Sequence, residues 1–179
     1  MECDFKKPKK QYVMVELKAK ADDLTSIRNK LNEWSAKRIG LFHQIDTYYK
    51  VPKGRLKLRE IEDKAEGELI YYEREDVAKP KRSFDFILRI PQPHVFRQIL
   101  EQIMETKAVV DKIREIYCYE NVQVHLDKVK GLGSFIEFEC ITSQNPEQQK
   151  KDCLKLEKLG EQLKISSKRL ENLSYSDLI

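Results

Sequence analysis

Hydrophobic and polar residues alternate with a period of two along much of the chain, which is the pattern of β-strands that have one apolar face. In the first such segment, residues 11 to 20, Val15 and Leu17 alternate with Glu16 and Lys18. The pattern recurs at 43 to 51, 54 to 61, 67 to 75, 83 to 90, 111 to 119, 121 to 129 and 134 to 142. Because short turns such as Pro52-Lys53-Gly54 separate these segments, we predict eight strands that pair mainly as antiparallel hairpins.

The period changes to that of an amphipathic helix in three places. The predicted helices cover about 22 to 38, about 92 to 107, and a segment that begins at Asn145-Pro146. Their apolar stripes are Leu24, Ile27, Leu31 and Trp34 in the first, Val95, Ile99 and Ile103 in the second, and Leu156, Leu159 and Leu163 in the third. Many short strands and few helices predict an α+β fold.

Charges are concentrated on one face of five predicted strands. The charged faces contain Glu16, Lys18 and Lys20; Arg55, Lys57 and Arg59; Lys112 and Arg114; His125 and Asp127; and Glu137 and Glu139. An antiparallel sheet with one solvated face shows the same alternation and requires no function. A solvated face, however, usually contains Thr, Ser, Gln and scattered charges, whereas nearly every position here is ionised. The central strands contain Arg and Lys, and the late strand contains carboxylates.

A closed barrel with its helices packed on the apolar outside would place these charges in a tunnel. Burying them without partners is unfavourable by several kcal/mol each, and a triphosphate with about four negative charges is the natural partner of the Arg and Lys groups. Carboxylates do not bind phosphate, but they bind the hard divalent cation that bridges phosphate oxygens. The pattern therefore predicts a tunnel for a metal-bound triphosphate.

Composition restricts the function further. The 179 residues include 34 basic and 30 acidic side chains, a net charge of +4, so no single-sign field covers the molecule as it would in a general nucleic-acid binder. The length fits one domain over residues 1–179, with residues 1–10 as a flexible leader. We expect no nucleic-acid partner and no membrane partner.

The residues that carry the argument also match a known family. They are VELKAK at 15 to 20, DTYYKVPKGRLKLRE at 46 to 60, ELIYYER at 68 to 74, DKIREIY at 111 to 117, and HLDKVKGLGSFIEFE at 125 to 139. With these motifs the chain resembles the CYTH domain, a family that includes class IV adenylyl cyclases, thiamine triphosphatases and inorganic tripolyphosphatases. The resemblance implies an eight-stranded antiparallel closed barrel, a triphosphate tunnel with helices outside.

The resemblance also implies roles for individual residues. Triphosphate binding is assigned to Lys18, Arg55, Lys57, Arg59, Arg74, Lys112 and Arg114, and a metal, Mg²⁺ or Mn²⁺, to Glu16, Glu137, Glu139 and Asp127. The residues expected to act in catalysis are Lys18, Arg59 and Glu137. The family opens with Glu-x-Glu-x-Lys, but here Met14 replaces the first Glu, and a thioether is a poor ligand for Mg²⁺.

Three functions follow from the resemblance. The first is a metal-dependent hydrolase of tripolyphosphate, a nucleoside triphosphate or thiamine triphosphate. The second is a class IV adenylyl cyclase, which would make cyclic AMP and pyrophosphate from ATP. The third, motivated by Met14, is a non-catalytic module that binds polyphosphate or nucleotide. In each case the expected partner is a small-molecule triphosphate. The sequence leaves both a monomer and a homodimer as alternatives.

The other reactive residues give weaker signals. The four cysteines form no CxxC pair, the start has no apolar signal-peptide run, and no stretch reaches 18 apolar residues, so we expect a reduced, cytoplasmic protein with Cys118 and Cys140 as packed thiols. The three histidines form no zinc motif, and His125 alone shares a strand face with Asp127. Tyr48, Tyr49, Tyr71 and Tyr72 are expected to pack on the outer face.

Overall fold

Eight antiparallel strands close into a single barrel in the computed structural model, which describes residues 11–179. The strands are β1 Tyr12–Lys20, β2 Lys37–Tyr49, β3 Arg55–Ile61, β4 Glu66–Arg74, β5 Lys81–Pro91, β6 Thr106–Tyr119, β7 Val122–Val129 and β8 Gly133–Thr142. Their order around the barrel is β1-β5-β4-β3-β2-β6-β7-β8. The predicted α+β class and the eight-stranded closed antiparallel barrel are confirmed.

The helices are α1 Leu24–Glu33, α2 Pro93–Ile103, α3 Pro146–Gln162 and α4 Tyr175–Leu178, with a 3₁₀ turn at Ser167–Arg169. The carboxylate of Asp23 caps α1 by accepting from the backbone N–H groups of Thr25 and Ser26 at 2.9 and 3.1 Å. This helix is shorter than predicted because Ser35 adopts a left-handed conformation with φ of 55°, and β2 begins soon after it.

Helices α1 and α3 pack on the outer faces of β1, β7 and β8. Leu31 and Leu156, both fully buried, meet the outward side chains of the three strands, which include Val15, Val124 and Phe138. Burial of a leucine side chain of this kind contributes roughly 1.5 to 3 kcal/mol. Because this face is apolar, the alternate residues of the same strands point into the barrel.

Helix α2 docks through a different face from the one its sequence suggests. Leu100 is buried, and Phe96 packs beside it against the cluster that includes Leu58 of β3. The predicted stripe is the exposed side, since Ile99 and Ile103 are 53% and 72% exposed. The helix therefore has two apolar faces, and only docking decides which one is buried.

Three further predictions can be compared with the structure. Cys118 is disulfide-bonded, so the prediction of a free packed thiol there is wrong, whereas Cys140 is a buried free thiol whose pKa burial raises to about 11. Within residues 11–179 none of the helices has the length and apolarity needed to cross a bilayer. The expected leader, residues 1–10, lies outside the described part of the chain.

Candidate functional site

The barrel interior is a polar cavity of about 80 Å³. It is lined by Met14, Glu16, Lys18, Asp46, Tyr48, Lys57, Arg59, Ile70, Tyr72, Arg74, Asp85, Ile87, Lys112, Arg114, Glu137, Glu139, Ser174 and Tyr175. Because the free volume is so small, most of these side chains contact one another. A ligand larger than a few waters would have to separate them.

One part of the cavity consists of three cations around one carboxylate, and we call it the Asp46 cluster. Asp46 is 1% exposed and accepts from Arg59 Nε at 2.8 Å and Nη2 at 3.0 Å. Lys112 Nζ lies 2.6 Å and Lys57 Nζ 3.2 Å from Asp46 Oδ2. The residues come from β2, β3 and β6, and β2 lies between the other two strands.

The electrostatics of the Asp46 cluster follow from burial and from its excess of positive charge. Burial disfavours the Asp46 carboxylate, but Arg59, Lys112 and Lys57 outweigh this and hold its pKa well below the usual range. Burial lowers the pKa of Lys112 to about 7, opposed by Asp46 and reinforced by Arg59. Lys112 is therefore more easily deprotonated than an ordinary lysine.

Glu16, Glu137 and Glu139 line a second part of the cavity, and His125 lies beside the last two; we call these four residues the carboxylate cluster. Glu16 and Glu139 are register partners on β1 and β8, and Glu137 lies two residues before Glu139 on the same face. Arg74 forms an ion pair with Glu16. Burial disfavours the Glu137 carboxylate, but the neighbouring His125, Arg114 and Lys18 keep its pKa well below the usual range.

Arg114 links the carboxylate cluster to Asp127. Its Nε and Nη2 donate to the two oxygens of Asp127 at 2.7 and 2.6 Å, and Nη2 also donates to Glu137 Oε2 at 2.8 Å. Asp127 is fully buried and accepts a further hydrogen bond, 2.7 Å long, from the hydroxyl of Tyr175. Asp127 thus orients Arg114 and does not offer a free oxygen to the cavity.

The carboxylate cluster has the donor set of a divalent metal site. One ligand atom each from His125, Glu137 and Glu139 lie within 4.8 Å of one another. Nδ1 of His125 is buried and has no hydrogen-bond partner among the described residues. An unpaired buried nitrogen beside two carboxylates fits a bound cation, so the residues present suit the metal that the resemblance implies.

The segment after α3 closes one end of the cavity. Lys18 Nζ donates to the carbonyl of Leu173 at 2.9 Å and lies 4.3 Å from the ring centre of Tyr175. Lys81 Nζ donates to the carbonyls of Glu171 and Asn172 at 3.2 and 3.1 Å. Backbone carbonyls of the tail therefore accept hydrogen bonds from Lys18, which lines the cavity, and from Lys81.

Nearly all the site residues predicted from the sequence meet in this one cavity. Arg55 instead lies at its edge, where its Nη2 donates to Asp76 and Asp177 at 2.8 Å. Met14 lines the cavity beside Glu16, as the alternation predicts. The outer-face prediction for the tyrosines is wrong for Tyr48 and Tyr72, which line the cavity.

Sequence reasoning missed three charged residues that face the cavity or its closed end: Asp46, Lys81 and Asp85. Asp46 and Tyr48 share a strand face, so the alternation contained the signal. Burial, with repulsion from Glu16 and Glu139, raises the pKa of Asp85 to about 7, although its hydrogen bond from Ser83 acts in the opposite direction. His125, which the alternation places on the same face as Asp127, pairs in register with Glu137.

Comparison with known proteins decides the family. The model of the CYTH domain matches residues 13–175, which is nearly all of the barrel and the tail that closes it. This chain belongs to the CYTH domain family. The cavity of this CYTH domain is therefore the family's tunnel, and its two clusters are the two sides of that tunnel.

Relatives extend the comparison. A protein of Methanocaldococcus jannaschii with the provisional name adenylate cyclase is 29% identical over 178 residues, which cover 93% of this chain and 98% of the relative. A solved structure from Pyrococcus horikoshii OT3 superposes with a TM-score of 0.81 at 25% identity, covering 93% of this chain and 99% of that one. A third protein, from Hippeastrum, is provisionally named an adenylyl cyclase and is described as having a dominant triphosphatase activity. It shares the fold with a TM-score of 0.61 at 15% identity, covering 92% of this chain and 93% of that one.

Proposed function

We propose that this CYTH domain binds the triphosphate group of a small molecule inside the barrel and hydrolyses it with the help of a divalent metal. The observation that carries the proposal is the separation of charge within one cavity. Three cations surround Asp46 on one side, and three carboxylates lie together on the other. A metal-bound triphosphate requires cations around its phosphate oxygens and carboxylates around the metal.

In the Asp46 cluster a bound anion would exchange places with the Asp46 carboxylate as the partner of the three cations. Arg59 already presents two N–H groups to one carboxylate, and a phosphate has the oxygen geometry to accept the same pair. Lys57 and Lys112 lie within 3.2 Å of the same carboxylate, so phosphate oxygens at that position meet three donors. The triphosphate would displace Asp46 as their partner.

Hydrolysis requires water to attack the terminal phosphorus in line while negative charge spreads over its oxygens. Arg59, Arg114 and Lys18 face the cavity and would stabilise that charge through fixed, partly dehydrated donors. Glu137 stays ionised near neutral pH and can accept a hydrogen bond from the attacking water. A divalent metal held by Glu16, Glu137 and Glu139 would neutralise the bridging oxygens.

The triphosphatase described for the Hippeastrum protein supports this reaction, as a likeness of fold. A second reaction, cyclisation of ATP, is favoured by the provisional name of the Methanocaldococcus jannaschii relative. There the ribose 3′ hydroxyl attacks the α-phosphorus and pyrophosphate leaves. A non-catalytic module is the third alternative, because Met14 contributes no oxygen ligand.

The deciding experiment incubates the purified protein with ATP and, separately, with tripolyphosphate, in Mg²⁺ or Mn²⁺, and identifies the products. We expect orthophosphate. Cyclic AMP with pyrophosphate would select the cyclase, and binding without turnover would select the module.

Calorimetry with tripolyphosphate tests the tunnel itself. Arg114→Ala should weaken binding by about 30-fold or more, because truncation of a buried charge partner is worth about 2 kcal/mol or more. Arg28→Ala is the matched control, since Arg28 pairs with the buried Glu115 at 2.9 Å on the outside of the barrel. Equal affinities of the two variants would contradict the tunnel assignment.

A further inference from the structure

Nδ1 of His125 lies beside two carboxylates and has no hydrogen-bond partner among the described residues. His125 is 2% exposed, and its Nδ1 lies 3.6 Å from Glu137 Oε2 and 3.7 Å from Glu139 Oε1. These separations are too long for hydrogen bonds. They are somewhat longer than the roughly 3.0 to 3.4 Å between neighbouring ligand atoms about 2.1 Å from one metal, so small side-chain movements would bring the groups onto one ion.

The other ring nitrogen fixes which tautomer faces the cluster. Nε2 lies 3.0 Å from the side-chain oxygen of Gln123, which can only accept, so Nε2 carries the proton in a neutral ring. In the metal-bound form, where the ring must be neutral, Nδ1 would direct its lone pair between the two carboxylates. This is the arrangement in which a metal-binding histidine donates its second N–H to a neighbouring acceptor that sets its orientation.

The family's opening glutamate is also replaced in this chain, by Met14. Met14 removes one hard oxygen donor from the cavity wall, while His125 adds a nitrogen donor. Oxygen-rich sites suit Mg²⁺, whereas imidazole nitrogen suits first-row transition ions. The loss of the oxygen donor and the gain of the nitrogen donor both favour a transition ion over Mg²⁺.

We infer that His125 is a metal ligand through Nδ1, and that with Glu137 and Glu139 it makes the site selective for Mn²⁺, Co²⁺ or a similar transition ion over Mg²⁺. The inference rests on the proposed function and specifies its metal. Co²⁺ should bind more tightly than Mn²⁺, and both more tightly than Mg²⁺, as nitrogen coordination favours along the first row.

Pulsed electron paramagnetic resonance on the protein loaded with Mn²⁺ alone tests direct coordination. The wild type should show hyperfine coupling from a directly bound ¹⁴N nucleus. His125→Gln should lose that coupling. His43→Gln is the matched control and should keep it, since His43 also lies beside two carboxylates, Nδ1 3.1 Å from Glu62 and Nε2 2.7 Å from Asp111, but outside the cavity.

Calorimetry with each metal alone gives the selectivity. We expect His125→Gln to lose at least about tenfold in Co²⁺ affinity and to change Mg²⁺ affinity by less than about threefold, which a merely structural role would not produce. If the variant fails to fold, the wild-type spectrum decides by itself. Bound Mn²⁺ without nitrogen coupling, coupling that is lost in His43→Gln instead, or absence of Mn²⁺ binding would each overturn the inference.

The experiments distinguish a failure of the proposed function from a failure of this inference. If tripolyphosphate binds and is hydrolysed but the Mn²⁺ spectrum shows only oxygen ligands, the proposed function stands and the role of His125 falls. If nitrogen coupling is present and tripolyphosphate does not bind, the metal site stands and the triphosphate tunnel falls.

Discussion

The Asp46 cluster and the carboxylate cluster lie in one cavity and are both buried, but only the first is complete without a ligand. The carboxylate of Asp46 is bonded by Arg59, Lys57 and Lys112 within 3.2 Å. In the carboxylate cluster the buried Nδ1 of His125 has no hydrogen-bond partner in the described part of the chain.

This difference predicts two modes of binding. An anion at the Asp46 cluster must replace an existing partner, so affinity is reduced by the energy of the bonds it breaks. A cation at the carboxylate cluster adds to Glu139, whose pKa is raised by burial and by repulsion from Glu137 and Glu16, so it relieves that repulsion as it binds. Removing an acid should therefore destabilise the first cluster far more than the second.

The largest expected effect is at Asp46. Asp46→Asn leaves the buried Lys112 and the partly buried Arg59 and Lys57 without their carboxylate, and we expect a loss of about 3 to 5 kcal/mol in the free energy of unfolding. Tripolyphosphate should restore much of that loss, because it supplies the missing negative charge. Thermal unfolding with and without tripolyphosphate measures both.

Glu115→Gln is the control for Asp46→Asn. Glu115 is 5% exposed and pairs with Arg28 and Arg38 at 2.9 and 2.7 Å, but it faces outward. Its loss should also destabilise the protein, and tripolyphosphate should not rescue it. Equal rescue of both variants would show that the anion acts elsewhere.

The carboxylate cluster should respond in the opposite way. Glu137→Gln with Glu139→Gln keeps the side-chain volume and removes two charges, so we expect metal affinity to fall by about 100-fold or more, with a smaller loss of metal-free stability than in Asp46→Asn. Arg114 retains Asp127 as its partner in this variant. Calorimetry and metal-free melts check the prediction, and wild-type activity with unchanged Mg²⁺ dependence would contradict it.

A third, smaller effect concerns pH. Because burial lowers the pKa of Lys112 to about 7, the free protein must take up a proton there to bind a polyanion at higher pH. Affinity for tripolyphosphate should fall up to about tenfold per pH unit above 7. Lys112→Met should bind more weakly and show a flatter pH profile. An equally steep profile in that variant would assign the titration to another group.

The same group affects stability with the opposite sign. Its folded pKa lies below the ordinary value of 10.5, so the unfolded chain binds more protons between about pH 7 and 10.5. Over that range Lys112 makes the ligand-free protein more stable as pH rises. Ligand binding and stability should therefore respond to pH in opposite directions, which melts with and without tripolyphosphate would show.

Much of the fold could be predicted from the alternation of side chains, because each strand has one apolar and one charged face. The ends of elements could not. Ser35 adopts a left-handed conformation inside a pattern that still looks helical, and β2 starts at Lys37. Helix α2 has two apolar faces, Ile99 on one and Leu100 on the other, and the sequence alone does not say where it docks.

The site could likewise be predicted only in part from the sequence. The residue types and faces were visible in the sequence, but Asp46 meets Arg59 and Lys112 only because barrel closure places β2 between β3 and β6. The contact of His125 with Glu137 could have been found. Both residues lie six positions from Gly131 at the turn between β7 and β8, and a tight hairpin pairs such residues.

The smallest expected effect is at Met14, where the chain departs from its family. Met14 is 6% exposed, lines the cavity beside Glu16, and pairs in register with Ile141 of β8. Met14→Glu would add an oxygen donor to the carboxylate cluster, so Mg²⁺ and Mn²⁺ should bind about tenfold more tightly, or about 1.4 kcal/mol. Met14→Gln, which has similar volume and no charge, is the control and should show no such gain.

Without metal the new carboxylate would repel Glu16, Glu139 and Asp85, whose pKa is already raised to about 7 chiefly by burial and by the first two. We therefore expect Met14→Glu to be less stable than the wild type in chelator and to gain more stability when Mg²⁺ or Mn²⁺ is added. A phosphate-release assay run beside the melts shows whether turnover rises with metal affinity. A metal-induced shift no larger than that of the wild type would mean that position 14 does not reach the metal, and the carboxylate cluster would then be complete with His125 in place of the family's first glutamate.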